Sequence, residues 1–407
     1  MKIKVGVVFG GESVEHEVSI ISALQAMNKI NQEKYEIIPI YITKDREWYT
    51  GEMLRDIESY QDLSLIKKYA KNVVLYCENG RFVLKKKKGL FNKVVTDIDI
   101  AFPIVHGTNV EDGALQGYFQ SIGIPYVGPN VYAAAVGQDK VYMKRIFEGE
   151  NLPMTKFTWF YDADYKNNLE DVLSKIKKLK YPVIVKPATT GSSVGIGTAS
   201  NEKELIDAID DAIQYDSKIL VEEMVQNLKE VNISVLGNYE HQKLSEIEEV
   251  ISNEKFLTFE EKYIGNGKTK GKNGLKMMKP NKGSKGMLSA TRKIPADLSD
   301  EVREEVEKVA TSAFKALGSS GVCRIDFLID DKAQKVYVNE INSIPGSLSF
   351  YLWEPKNKKY TELLDDLVNI GVKDYKKRVS KTHSFESNIL AGYAMNAGSK
   401  GTKGKLK

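Results

Sequence analysis

At 407 residues the chain is too long for one hydrophobic core and implies two or three domains. With 42% hydrophobic and 28% charged residues, and no apolar run of membrane-spanning length, it falls outside the disordered and integral-membrane classes. The formal net charge of +4 conceals a division, because residues 264–286 hold seven Lys and no acid, and residues 373–407 hold nine Lys or Arg against Asp374 and Glu386. The remainder is therefore acidic, near −10. The two basic segments read as a solvated loop and tail; the loop has no aromatic for base stacking, and no nucleic-acid partner is expected. The opening Met1-Lys-Ile-Lys-Val-Gly-Val-Val-Phe9 reads as a strand rather than a signal peptide. Cys77 and Cys323, far apart in strand-like runs, read as two buried thiols of a reducing cytoplasm.

Residues 2–9 have the pattern of a fully buried strand ending at Gly10-Gly11, and 12–30 has helical spacing. Residues 35–42 read as a second buried strand. A hairpin turns at Glu78-Asn79-Gly80 between 73–77 and 81–84. A strand at 99–105, a helix from Ala114 and a strand at 124–127 follow. Strands alternating with helices predict a parallel sheet with ligands at its carboxyl ends, and this first domain is placed at 1–135. The spacing predicts one helix over 131–150. A smaller α+β unit at 136–228 follows, with strands at 156–161, 181–187 and 218–225 and helices near 168–179 and 202–214. The third domain, 229–375, has long strands, a Gly/Lys-rich loop over 253–286, a helix at 299–317 and a closing hairpin. Ser299 before Asp300, Glu301 and Glu304 is a helix start, its acids near the positive end of the dipole. Apolar periodicity fades past Tyr375, and 376–407 is expected to be a basic, disordered tail.

The closing hairpin carries the first chemistry. Its runs Gly321-Val-Cys-Arg-Ile-Asp-Phe-Leu-Ile329 and Lys335-Val-Tyr-Val-Asn-Glu-Ile-Asn-Ser343 flank a turn at 330–334, which sets Asp326 beside Glu340 on the neighbouring strand. Glu340 and Asn342 are two apart and share a face. Two carboxylates and an amide oxygen, with no His or Cys nearby, suit Mg²⁺, with Mn²⁺ as a substitute; the same residues also fit a solvated strand pair. Arg324, two residues before Asp326, points to the same side.

Thr189-Thr-Gly-Ser-Ser-Val-Gly-Ile-Gly197 follows a strand ending at Lys186-Pro187. Small residues let backbone N–H groups approach a polyphosphate, and the hydroxyls of Ser192 and Ser193 add donors. The Gly-Lys-Ser/Thr ending of a Walker loop is missing, and a plain turn needs the same residues. Lys186 before the loop, and Lys140 on the preceding helix, supply point charges for phosphate. Glu222 and Glu223 close one strand and Glu230 opens the next. Carboxylates there accept bonds from a ribose, with backbone near Val225 against adenine, or are simply exposed acids.

In this order Lys140, Lys186, the Gly/Ser loop, Glu230 and the Asp326, Glu340, Asn342 set resemble an ATP-grasp enzyme. Over residues 2–375 the chain resembles the D-alanine–D-alanine ligases. The segments that carry this are Phe9-Gly-Gly-Glu-Ser-Val-Glu-His-Glu-Val-Ser19, Val105-His-Gly-Thr-Asn-Val-Glu-Asp-Gly-Ala-Leu-Gln-Gly117, residues 186–195, Phe259-Glu-Glu-Lys-Tyr263 and Glu340-Ile-Asn-Ser-Ile-Pro-Gly346. The resemblance implies a three-domain α/β ATP-grasp architecture, with an N-terminal parallel-sheet domain and two α+β domains clasping ATP. It implies a cytoplasmic homodimer without membrane attachment, acting on ATP and D-alanine. By the same resemblance Asp326, Glu340 and Asn342 hold two Mg²⁺, Lys140 and Lys186 touch the phosphates, and Lys262 reaches the γ-phosphate. Arg324 and the Gly346 N–H form an oxyanion site. Glu15 holds the ammonium of the first D-alanine with His106 nearby, and Ser192, Tyr263 and Glu15 form a trio that closes a lid against water.

Two features depart from the family pattern. Where the family places a serine for the second substrate's carboxylate, the run Pro345-Gly-Ser-Leu-Ser-Phe-Tyr-Leu-Trp-Glu-Pro355 has Tyr351, with Ser347 and Ser349 nearby, so that contact stays open among the three. The segment 264–286 is long and basic. The expected function is ATP-dependent ligation of two D-alanines through an acyl phosphate for peptidoglycan synthesis, or the same chemistry with D-serine, D-lactate or another amine as acceptor. Tyr263, where depsipeptide-forming members favour His, argues against a hydroxy acid. A nucleic-acid binder built on the basic segments, and a dinucleotide oxidoreductase, fit less well. The metal set and lysines are intact, and Val8-Phe-Gly-Gly-Glu12 lacks Gly-x-Gly-x-x-Gly.

Overall fold

The computed structural model describes residues 2–87, 93–251 and 291–384. The described strands form three sheets. The first holds β1 (Ile3–Gly10), β2 (Tyr35–Ile42), β3 (Trp48–Thr50), β4 (Lys71–Glu78), β5 (Arg81–Lys86), β6 (Val94–Ile98) and β7 (Ile100–Pro103), in the order β6-β5-β4-β3-β2-β1-β7. Only β2-β1-β7 runs parallel; the other pairings are antiparallel. The residues explain the split. The last six residues of β1 are all buried, as a strand covered on both faces must be, whereas β4 alternates Val73 buried, Val74 exposed and Leu75 buried. The expected parallel sheet is thus the heart of a mixed one.

The second sheet, order β10-β9-β11-β8, is antiparallel and comprises β8 (Phe157–Tyr161), β9 (Val183–Pro187), β10 (Gly197–Ala199) and β11 (Lys218–Glu223). The apolar faces of the helices Leu169–Ile176 and Glu202–Ala212 pack on it. The third sheet, order β14-β13-β12-β15-β16, holds β12 (Leu228–Gly237), β13 (Gln242–Ile251), β14 (Thr291–Lys293), β15 (Gly321–Asp330) and β16 (Lys335–Asn342). Its core takes in the helix Asp300–Ala316, capped by Ser299 as expected, and Met143 and Phe147 of the helix Lys140–Gly149. The helix Tyr360–Val379 returns to the start of the chain, where Leu363, Leu364, Leu367 and Val368 join the core of the first sheet. The third unit, expected at 229–375, therefore shares its closing helix with the first.

Three expectations change. The helix expected over 131–150 is two, Val131–Gln138 and Lys140–Gly149, because the Asp139 side chain accepts from the N–H groups of Val141 and Tyr142 and starts a new helix. Residues 124–127 make a single bridge, Tyr126 to Ala101, since Pro125 offers only its carbonyl. Cys77 is exposed rather than buried; Cys323 is buried, and burial pushes its thiol up to about 12. Among the described residues no helix is long and apolar enough to cross a membrane. Lys262, Tyr263, the segment 264–286 and most of the tail lie outside the described residues.

Candidate active site

Register builds the floor of the site. Glu248 pairs with Asn232, Asn232 with Asp326, and Asp326 with Glu340, so one polar row crosses β13, β12, β15 and β16. One residue along each strand stand Ile247, Ile233, Ile325 and Ile341, all buried in the core beneath. Period-two alternation thus gives the sheet one wet and one dry face. A bulge between Asp326 and Phe327 completes the row: Phe327 pairs with Val338, and without the extra residue Asp326 would meet Asn339 instead of Glu340.

Asp326 accepts three bonds from two side chains. Arg324 donates from Nε and Nη2 at 2.7 and 2.8 Å, and Asn342 Nδ2 donates at 3.1 Å. Burial opposes the Arg324 charge, yet Asp326 keeps that guanidinium more firmly protonated than usual. Asp326, Glu340 and the Asn342 amide oxygen form a hard-oxygen donor set that fits Mg²⁺. Among the described residues no group of three or more His, Cys, Asp or Glu is placed to hold a metal ion, so the set depends on its amide.

Cations stand above this floor. Lys140 Nζ donates to Thr190 O at 2.8 Å and lies 3.8 Å from Glu340, linking the Gly/Ser loop to the acids. Lys186, 2.8 Å from Glu222 and 3.1 Å from Asn339 Oδ1, is held from two sides. Beneath it lies Lys144, only 1% exposed and 2.7 Å from Glu222, which also accepts from Thr155 at 2.7 Å. Burial works against the Glu222 charge, but the two lysines hold its carboxyl well below the usual carboxylate range. Lys140, Lys186, Ser192 and Ser193 line one pocket with Arg324, Asp326 and Glu340; Glu222, Glu223, Val225 and Glu230 line it too.

At the rim the Ser192 hydroxyl donates to Glu15. The Glu15 carboxylate, as placed, lies close against two glycines. A Cβ on Gly107 would stand 2.9 Å from Glu15 Oε2, and one on Gly191 would stand 2.6 Å from it. Ser192 and Ser193 both adopt positive φ, 54° and 62°, as a tight anion-cradling loop requires.

Two family models match, one described as D-ala D-ala ligase N-terminus over residues 4–129 and one as D-ala D-ala ligase C-terminus over residues 146–369. The chain belongs to the D-alanine–D-alanine ligase family. A D-alanine–D-alanine ligase of Thermosipho melanesiensis is 37% identical over 390 residues, covering 95% of this chain and 98% of that protein. Among solved structures, the D-alanine-D-alanine ligase of Coxiella burnetii matches with TM-score 0.75 at 27% identity, over 98% of this chain and 99% of the other. The VanG D-Ala:D-Ser ligase of Enterococcus faecalis matches with TM-score 0.73 at 28% identity, over 91% and 100%.

Of the described residues that the family pattern singled out, Glu15, His106, Asn342, Gly346, Ser347, Ser349 and Tyr351 do not line this pocket. His106 is buried, with Nδ1 2.8 Å from Ile344 O and Nε2 3.1 Å from Ser22 Oγ. Since Ser22 Oγ accepts from Ser347 N, its proton is available to Nε2, and burial lowers the His106 pKa; a neutral ring donating from Nδ1 satisfies the whole chain. Ser347 is thereby engaged through its backbone, and the Ser349 hydroxyl is buried with no hydrogen-bond partner among the described residues. Gly346 opens the 3-10 turn Gly346–Leu352, in which residues 347–349 all have positive φ. Tyr351 donates its hydroxyl to Glu248 at 2.9 Å.

Sequence reasoning missed Lys144, Asn232, Glu248, Arg292 and Glu111. Lys144 lies four residues after Lys140, a spacing that puts both on one helix face and that was available as a signal. Glu111, buried in the segment His106-Gly-Thr-Asn-Val-Glu111, accepts from Gly107 N at 3.0 Å, Ser343 Oγ at 3.0 Å and Ile344 N at 2.9 Å. Burial raises its carboxyl to about 7.

Proposed function

We propose that this enzyme joins two D-alanines at the expense of ATP, supplying D-alanyl-D-alanine for peptidoglycan. A carboxylate oxygen of the donor attacks the γ-phosphorus, ADP leaves and an acyl phosphate forms. The acceptor amine then attacks the acyl carbon, and the tetrahedral adduct expels phosphate as the amine loses its proton. The observation that carries the reading is the Glu15–Ser192 contact. An acid presented after β1 is tied to the Gly/Ser loop, at a gap between glycines, beside a pocket of paired lysines and acids.

In that reading Glu15 receives the donor ammonium, and the Ser192 bond couples donor binding to the position of the loop. Lys140 and Lys186 meet the phosphates as point charges, with Lys262 at the γ-phosphate. Glu222 acts through Lys186, while Glu223, Val225 and Glu230 border the nucleoside. Asp326, Glu340 and Asn342 would hold two Mg²⁺, which would neutralise phosphate charge during transfer. Arg324, oriented by Asp326, and the Gly346 N–H meet the oxygen on which negative charge develops. Tyr263 completes the trio with Ser192 and Glu15, keeping water from the acyl phosphate. A cytoplasmic homodimer, divided near residues 135 and 228, completes the proposal.

A second reading, with D-serine as acceptor, draws on Tyr351 at the position of the family serine and on the likeness to a D-Ala:D-Ser ligase. Both are tested by ADP release with Mg-ATP and D-alanine alone or with D-serine, D-lactate or glycine, products identified by mass. The dipeptide from D-alanine alone is expected. Turnover only with a mixed pair would favour the second reading, and none with any of them would defeat both. Glu340→Gln should lower turnover at least about 100-fold, as for loss of a charge-stabilising group, with the unfolding midpoint retained. Undiminished turnover would remove Glu340 from the metal set.

A further inference from the structure

The polar row on the third sheet does not stop at the metal set; it continues through Asn232 to Glu248, and there a second charged assembly begins. Glu248 is fully buried, and its Oε1 accepts from Asn232 Nδ2 at 3.0 Å and from the Tyr351 hydroxyl at 2.9 Å. Arg292, on the edge strand β14, pairs in register with Val250, two residues along from Glu248 on the same face. Its Nη1 lies 3.7 Å from Glu248 Oε2, and its guanidinium sits 4.7 Å from the centre of the Tyr351 ring. Arg292, Glu248 and Asn232 line the same pocket as Arg324 and Asp326.

Chemistry assigns a task to this assembly. Any amino acid that attacks the acyl group brings a carboxylate into the pocket, and it must be matched by a cation or by strong donors. Lys140 and Lys186 stand with the Gly/Ser loop and Glu222, and Arg324 is bidentate on Asp326. Tyr351, which the simplest count from Pro345-Gly346 sets where the family has its serine, turns its hydroxyl to Glu248. Burial, reinforced by the Glu248 charge, raises the pKa of that hydroxyl, so it remains a donor to Glu248. Tyr351 thus supplies a stacking surface and an anchor for the acid that faces Arg292. A guanidinium held over an aromatic ring and steered by a buried acid is pre-organised for forked recognition of a carboxylate.

We propose that Arg292, stacked on Tyr351 and steered by Glu248, receives the α-carboxylate of the acceptor and makes this enzyme selective for acceptors that carry one. The inference rests on the ligase reading above and names a specificity-determining residue for it. Arg292 that merely balanced Glu248 would affect stability and all substrates alike; Arg292 that binds the acceptor affects one substrate.

The test measures product masses and initial rates for D-alanine with and without competing D-alaninamide, in the full chain and in Arg292→Gln. The intact enzyme should prefer D-alanine over the amide as acceptor. The variant should raise the acceptor KM about 10- to 100-fold, the size of a charge-assisted pair, with donor and ATP KM within about twofold and use of the amide unchanged. Should the glutamine variant unfold, Arg292→Lys keeps the charge beside Glu248 and should lose a smaller part, about 3- to 10-fold, of the same preference. Undiminished preference for the carboxylate, or an equal rise in donor and acceptor KM, would overturn the inference and leave the ligase reading standing. No D-alanyl product from the intact enzyme would overturn the ligase reading itself.

Discussion

The end of the pocket proposed for the phosphates and the wall behind the proposed donor site are both buried and polar, but they are held in opposite ways. At the phosphate end Glu222 and Lys186 hold each other charged against burial, and the adjoining Lys144, whose pKa burial lowers, adds its contact to Glu222. At the donor wall burial lowers the His106 pKa and lifts Glu111 to about 7, so that the links among Gly107, Ser22, Ser343 and Ile344 are made by groups that burial drives toward their neutral forms. The ligands explain the contrast. A polyphosphate brings fixed negative charge, which repays the burial of lysines only if they stay ionised. The charged ends of the amino-acid substrates are met in this reading by Glu15 and Arg292, so the wall behind them can be built from groups that burial drives toward their neutral forms.

The largest expected effect comes from breaking the charged end at its centre. Glu222→Gln strands two buried lysines, and an uncompensated buried charge costs about 3–5 kcal/mol, read as the fall in unfolding free energy in urea. Lys144→Met leaves the neutral Lys186–Glu222 pair and should cost far less, under about 1.5 kcal/mol. Combining it with Glu222→Gln should recover part of the loss, because only one lysine is then stranded. If Lys144→Met proved as damaging as Glu222→Gln, the cluster would be a packing device and not an electrostatic one.

The donor wall should betray itself by pH. Glu111 is protonated in the fold up to about pH 7 but in the unfolded chain only to about 4.5. Its raised pKa adds stability that is full below 4.5 and is lost as pH rises through 7. By linkage this is about 3 kcal/mol. His106 acts oppositely: its lowered pKa makes the fold lose stability as pH falls below 6.5. The difference between the intact enzyme and Glu111→Gln isolates the first effect, and it should shrink by about 3 kcal/mol from pH 4.5 to 7. A difference independent of pH would mean that Glu111 is ionised throughout. Glu222 predicts no such drift, since it stays ionised across this window.

These two regions were not equally legible in the sequence. The lysines Lys140 and Lys186 and the acids Asp326 and Glu340 sit in local runs whose strand or loop pattern declares them, and the structure brings them into one pocket. The bulge that sets Glu340 opposite Asp326 had no local signal; the expected pairing arises through an irregularity that symmetric counting about the turn would not include. Glu248 and Asn232 join the row by register across four strands, a long-range property that no window of residues contains. The spacing of Lys144 from Lys140 points to a shared helix face, and burial is what separates it from a surface lysine. The closing helix and the first sheet meet from opposite ends of the chain, so no local pattern announced their shared core.

The smallest effect lies where the two regions meet, at Ser192. Its hydroxyl donates to Glu15, while its backbone belongs to the phosphate loop at φ 54°. Removing the hydroxyl separates these attachments. Ser192→Gly keeps positive φ at no steric cost and deletes one hydrogen bond to a carboxylate, worth about 1.5 kcal/mol, so the donor phase of the D-alanine saturation curve should shift about tenfold. Ser192→Ala deletes the same bond and adds about 1 kcal/mol of left-handed strain, which should appear in the ATP KM as well as in the donor phase. The comparison of the two variants therefore reads loop geometry apart from donor contact. If Ser192→Gly raised the ATP KM as much as the donor KM, the hydroxyl would serve the phosphates, and Glu15 would be held at the donor site by its glycine gap alone.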